Sequence, residues 1–229
     1  MSSGRSLAAR QARARETVRL LAEAYPDSDC ALQHGSALEL LVSTILSAQC
    51  TDARVNQTTP ALFRRWPDAA ALAEAPLEEL AEAVHSCGYH NQKARSIQGS
   101  CRLLVEEHGG VVPERLEQLV KLPGVGRKTA NCVLGTWYGQ PAVVVDTHMI
   151  RILGLLGLTE SEDPVKIEQD VMALLPPEDW VSFTHRIIDH GRAVCVARRP
   201  RCGECLLAGL CPSRIGLQVR MKQRWKDAR

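Results

Sequence analysis

Apolar positions recur along most of the chain at intervals of three and four, the spacing of one face of a helix. Leu20, Leu21 and Ala24 form such a stripe, which stops ahead of Pro26, where a helix is readily broken. Residues 37–49 differ: Ala37, Leu38, Leu40, Leu41, Val42, Ile45 and Leu46 leave little polar face, which predicts a helix buried on most sides. Thr51 and Asp52 offer the start of the next one. Further helices are predicted near 77–85, 91–107 and 114–121, with Gly88-Tyr89, Gly109-Gly110 and Pro113 as interruptions. Ile150, Ile152, Leu153, Leu155 and Leu156 carry another amphipathic stripe. Only Val143-Val144-Val145 reads as strand, and three isolated residues cannot found a sheet. An all-α fold is therefore expected, with no internal repeat and no low-complexity linker.

Composition sharpens this picture in two respects. The 229 residues are 45% hydrophobic, enough for one large core or two small ones. With two Phe, three Tyr and four Trp, that core must rest on Leu, Ala and Val. No apolar run approaches the roughly 20 residues of a membrane span, and no secretory signal is visible. The Arg-rich start (Arg5, Arg10, Arg13, Arg15) is read as a basic helix in preference to an organelle transit peptide, so a cytoplasmic protein is expected.

The net charge of +2 conceals an asymmetry. From Arg192 onward ten bases stand against Glu204 and Asp227, and residues 1–19 hold five Arg against Glu16. The segment between is net acidic. Basic ends on one molecule suit a phosphate backbone, although a solvated tail would explain the last residues equally well.

The sharpest local feature is Leu122-Pro123-Gly124-Val125-Gly126-Arg127-Lys128-Thr129-Ala130. A helical segment is expected to end at Leu122 and another to begin at Arg127. Gly124 and Gly126 permit positive φ, so the chain can turn tightly with its amides facing outward, a ready site for phosphate beside a helix N-terminus. Such a contact is blind to base sequence. Lys128 falls in the first turn, where the helix dipole disfavours a charged amine and partial burial would act in the same direction. A neutral amine can form a Schiff base with a sugar aldehyde; a lysine that merely binds phosphate is the alternative. Asp146 follows an apolar run and precedes a helix, the position of an N-cap, where backbone amides would stabilise its carboxylate. A purely structural cap is the default for such a residue.

Nine cysteines complete the inventory. Cys30, Cys50, Cys87, Cys101 and Cys132 are scattered and are read as small buried hydrophobes in a reducing compartment. Cys195, Cys202, Cys205 and Cys211 instead crowd into one short stretch, the ligand set of a four-iron cluster or of zinc. Only Cys202 and Cys205 form a short pair, which favours the cluster. Arg198, Arg199 and Arg201, stiffened by Pro200, make the intervening loop basic.

These motifs together resemble the helix-hairpin-helix DNA glycosylases of the endonuclease III type. The hairpin through Asn131, the segment Val145-Asp146-Thr147-His148 and the C-x6-C-x2-C-x5-C loop match in order and spacing, as do Leu46-Ser-Ala-Gln49 and Asn91-Gln-Lys93-Ala. The likeness runs from about Thr17 to Arg214.

The resemblance implies a six-helix barrel over 30–140, with the helix-hairpin-helix at about 114–138. It also implies a cluster domain built from 1–29 and 141–229, with a DNA groove between the two. It implies one [4Fe-4S] cluster, with zinc the minor alternative. The partner would be double-stranded DNA carrying damaged bases or abasic sites, and the protein would be monomeric. The activity implied is removal of oxidised pyrimidines with lyase cleavage 3′ to the abasic site. Lys128 would attack C1′ and Asp146 would stabilise charge there and handle the lysine proton. Gly124, Val125, Gly126 and Arg127 would hold phosphate, as would Arg198, Arg199 and Arg201. Gln49 would fill the gap left by a flipped nucleotide. The loop after Gly88 departs from the family, offering Tyr89 and His90 where an aliphatic wedge is usual, so stacking on bases is expected there.

Three other readings stand beside this one. An adenine-mismatch glycosylase would place a non-nucleophilic residue at 128 and carry a further domain. A glycosylase for thymine mismatches or pyrimidine dimers is harder to separate from sequence. A non-catalytic DNA-binding protein would have no need of both Lys128 and Asp146.

Overall fold

The computed structural model describes residues 6–214 and 216. Arg5 and the basic run from Arg220 to Arg229 lie outside the described residues. The described residues are helical or irregular, with no strand among them. Val143, Val144 and Val145 are buried but remain irregular, because no second strand is present among the described residues to pair with them.

The chain divides into two compact units, one of Cys30–Ala142 and one of the paired segments up to Asp29 and from Val143 onward. The first unit holds α2 (Ala37–Ser47), α3 (Asp52–Arg65), α4 (Ala69–Glu74), α5 (Leu77–Ala83), α6 (His90–His108), α7 (Leu116–Leu119) and α8 (Arg127–Thr136). The long helix α6 packs on α2, α4 and α5, and α2 packs on α3 and α8. Leu40, Leu41, Leu46, Leu62, Leu72, Leu80, Ile97 and Leu104 are almost wholly removed from solvent. Each such side chain contributes about 1.5–3 kcal/mol by burial. Side-chain caps at Ser36, Thr51 and Asp68 contribute about 1 kcal/mol each. Packing therefore holds this unit, and the caps set where its helices begin.

The second unit holds α1 (Leu7–Ala24), α9 (Thr147–Leu156), α10 (Pro164–Leu174) and α11 (Trp180–Ala193). α11 packs on α9 and α1, and α1 also packs on α10. Leu21, Met149, Leu153, Ile167, Phe183 and Ile187 form its core, and Cys195, Cys205 and Cys211 pack against that core.

The basic start of α1 is largely committed within this unit. Arg10 donates to the Leu158 carbonyl and pairs with Asp170 at 2.8 Å. Arg13 donates to the Leu156 carbonyl at 3.0 Å, and Arg19 pairs with Glu16 and Glu23. Arg10 and Arg13 thereby satisfy carbonyls left open at the end of α9. The basic helix expected here is α1, and these three arginines are engaged within the unit. No helix among the described residues is long and apolar enough to cross a membrane.

Candidate active site

In the first unit the hairpin is a tight turn between the single-turn α7 and α8. The helix before it ends at Leu119, earlier than the expected Leu122, and Leu122 is buried in the turn. Gly124 has φ +77°, and a Cβ there would stand 2.6 Å from Ser96 Cβ, so glycine is required on two counts. Gly126 departs from expectation. Its φ is −88°, and it serves as the N-cap residue of α8, without a side chain to cap it. The Val125 amide does not face outward either; it closes the turn onto the Leu122 carbonyl at 3.0 Å, and its side chain is buried. What remains for an anion is the N-terminus of α8, where Arg127 and Lys128 stand exposed in the first turn. Lys128 is exposed to solvent.

Gln49 and Tyr89 share a backbone feature that the sequence did not announce. Among the described residues they are the non-glycine positions with positive φ, 53° and 48°. Left-handed backbone at a side chain as bulky as tyrosine persists only when its surroundings enforce it. Both are exposed, Tyr89 by 68%. His90 opens α6 half-buried, its ring 4.5 Å from that of His85. Lys93, one turn into α6, is buried and donates to the carbonyls of Leu46 at 2.9 Å and Cys87 at 2.8 Å.

In the second unit Asp146 is the N-cap of α9, its Oδ1 accepting the Met149 amide at 2.9 Å. The four-cysteine loop follows α11 directly. The Cys195 amide donates to the His190 carbonyl at 2.8 Å, and Arg151 donates to the Cys195 carbonyl at 2.6 Å. Cys205 Sγ lies 3.5 Å from Nε2 of His190, whose Nδ1 is 3.2 Å from the Tyr25 hydroxyl. His190 is buried, and that burial pushes its pKa down to about 4. A neutral imidazole accepting from Tyr25 at Nδ1 presents an Nε2–H to the sulfur.

Burial raises the pKa of the Cys195, Cys205 and Cys211 thiols, and their neighbours' negative charges raise it further. Four cysteines in one loop, three of them held as thiols by burial, are a donor set that fits a polycationic centre, which would stabilise them as thiolates. No trio of His, Cys, Asp or Glu side chains among the described residues is placed for a single metal ion. Arg198, Arg199 and Arg201 are exposed on this loop, with Pro200 buried between them. Arg201 also faces Glu204 at 4.0 Å.

No disulfide joins the remaining cysteines; Cys87, Cys101 and Cys132 are buried as expected, whereas Cys30 and Cys50 are only half-buried.

Known proteins match over most of this chain. Residues 42–177 match the HhH-GPD superfamily of base excision DNA repair proteins, and residues 195–211 match the iron-sulfur binding domain of endonuclease III. An endonuclease III from Synechocystis sp. is 54% identical over 210 residues, spanning 91% of this chain and 96% of its own. The chain belongs to the endonuclease III family.

Two solved structures of the family carry the likeness into three dimensions. One is a non-covalent endonuclease III–DNA complex, 39% identical, with a TM-score of 0.87, covering 93% of this chain and 98% of its own. The other, a trapped endonuclease III–DNA covalent intermediate, has the same identity and TM-score and covers 92% and 98%. As in its relatives, the cysteine loop is an iron–sulfur binding segment.

His190 and Arg151 were not found from sequence, since neither lies in the cysteine spacing. A histidine on the buried face of α11, five residues ahead of Cys195, was the one available signal.

Proposed function

We propose that this protein is a base-excision DNA glycosylase for oxidised pyrimidines that also cleaves abasic sites as a lyase. The observation carrying this reading is Lys128, an exposed amine in the first turn of α8, next to a hairpin that needs glycine at 124. The relative trapped covalently on DNA supports a covalent route. Lys128 Nζ attacks C1′ of the damaged nucleotide and the base leaves with a proton; the C1′–O4′ bond then opens to give the imine, and loss of a C2′ proton expels the 3′ phosphate by β-elimination. Asp146, held by its cap bond to Met149, stabilises positive charge at C1′ and handles the proton of the lysine. The amides at the start of α8, with Gly124, Gly126 and Arg127, hold a phosphate. Val125 acts by shaping the turn.

Gln49 fills the space of the flipped nucleotide, and Tyr89 and His90 stack or wedge beside it. Cys195, Cys202, Cys205 and Cys211 hold one [4Fe-4S] cluster; a spacing with a single short pair, and the match of 195–211 to an iron-sulfur binding domain, favour it over zinc. The cluster, when bound, serves as a structural pin and carries no step of the reaction. Arg198, Arg199 and Arg201 on the pinned loop grip the backbone of double-stranded DNA. The barrel domain is Cys30–Ala142, the cluster domain the other unit, and the protein acts as a monomer on DNA in a reducing, cytoplasmic setting.

Incision over a panel of oxidised pyrimidines, uracil, mismatches and abasic sites, each with borohydride, tests the assignment. Oxidised pyrimidines and abasic sites should be cut and should yield a borohydride-trapped protein–DNA adduct. Binding without incision on every substrate would contradict it.

A further inference from the structure

Lys93 takes no part in the chemistry above, yet only 5% of it is exposed. Burying an amine is costly unless its hydrogen bonds are met, and both of its bonds go to main-chain carbonyls. Leu46 lies in the last turn of α2, and Cys87 ends a short 3-10 turn, His85–Cys87. Each is a helix end where carbonyls lack partners and the dipole favours a donor. Each also immediately precedes a loop: three residues after Leu46 comes Gln49, and two after Cys87 comes Tyr89. Among the described residues these are the two side chains held at positive φ.

The same stripe of α6 reaches the hairpin. Lys93, Ser96 and Ser100 stand at i, i+3 and i+7, one face of the helix. Ser96 fills the space against Gly124 Cα, and Ser100 donates to the Pro123 carbonyl at 2.7 Å. One helix face thus anchors three loops of this unit that the proposed function assigns to DNA.

We propose that Lys93 is a positioning residue: one amine ties the Gln49 and Tyr89 loops together and presents both side chains for lesion capture before DNA arrives. A methionine would fill the same volume, so packing alone does not call for nitrogen here. What the amine adds is direction, fixing two carbonyls toward one point. The inference rests on the roles proposed for Gln49 and Tyr89.

The test compares affinity for a duplex carrying a tetrahydrofuran abasic analogue with affinity for the intact duplex. It uses wild type, Lys93→Met, Lys93→Gln, the Gln49→Ala/Tyr89→Ala pair, and that pair combined with Lys93→Met. Lys93→Met should lower the lesion preference by about tenfold, the scale of losing two buried hydrogen bonds, with intact-duplex affinity unchanged. Lys93→Gln, which can still serve one carbonyl, should fall between and provides the milder variant should Met impair folding. In the Gln49→Ala/Tyr89→Ala background, Lys93→Met should change the preference less than about twofold, since its effect travels through those side chains.

A merely structural lysine would weaken both duplexes alike, or add its full effect in that background; either result overturns the proposal. If Gln49→Ala/Tyr89→Ala keeps wild-type preference, the loop roles fail and the positioning role with them. If that pair loses preference while both Lys93 variants keep it, the positioning role alone fails.

Discussion

The two units reach local precision by different means. In Cys30–Ala142, main-chain geometry is fixed by packing and by side chains of α6 that meet loop carbonyls, Lys93 at Leu46 and Cys87 and Ser100 at Pro123. In the other unit the stretch 195–214 has almost no regular structure and packs Cys195, Cys205, Cys211 and Leu207 into the core beside α11. The first arrangement supports strained positions such as Tyr89 without any cofactor. The second carries an iron–sulfur binding segment. A helix can hold an amine at its N-terminus with no metal, whereas a basic loop without helix or strand gains order from a bound centre.

The largest expected effect separates chemistry from binding. Lys128→Gln should abolish imine trapping and base release while leaving duplex affinity within a few-fold, because glutamine cannot attack C1′. Single-turnover incision together with equilibrium binding reads both. Wild-type cleavage by this variant would move the nucleophile elsewhere.

Next in size is the pin itself. Cys202→Ser should remove most of the iron and the absorbance near ~400 nm, and should weaken binding to damaged and intact duplex alike. Hydrogen exchange in α2, α6 and α8 should stay as in wild type. Loss of protection throughout those helices would erase the distinction between the units.

Gly124→Ala comes third. Strain at φ +77° and the approach to Ser96 should destabilise the protein by about 1–3 kcal/mol, measured by denaturant unfolding. Gly126→Ala, at φ −88° with nothing within 4 Å of the added Cβ, should cost well under half of that. Equal losses at the two glycines would contradict the turn geometry.

The smallest effect belongs to the basic loop. Arg198→Ala and Arg199→Ala should each lower the salt slope of binding by about 1 and leave lesion preference unchanged. A shift in preference with an unchanged slope would remove these arginines from the phosphate contact.

Much of the fold was legible because its signals are local. Thr51 and Asp146 read as caps, and both accept the expected amide. The almost wholly apolar segment at 37–49 corresponds to α2, which ends at Ser47. α4 escaped notice: Ala69–Glu74 is short and alanine-rich, and its stripe amounts to Leu72 and little else. The valines at 143–145 suggested a strand because β-branched residues fit one, but pairing is a non-local property. Within the candidate site, residue types at fixed spacing were readable, as with Lys128 and the four cysteines.

What was hidden depends on segments distant in sequence. Lys93 matters through carbonyls at positions 46 and 87, and His190 through a tyrosine at 25. The exposure of Lys128 and the inward-turned amide of Val125 needed coordinates, since the motif fixes neither.

The central claim, that Lys128 is the amine that becomes joined to DNA, is tested most directly by mapping the adduct. Wild-type protein is trapped by borohydride on an abasic duplex, digested with protease and nuclease, and sequenced by mass spectrometry. The account predicts the sugar remnant on Lys128. A remnant on Lys121, on Lys93 or on the N-terminal amine, with Lys128 unmodified, would contradict it.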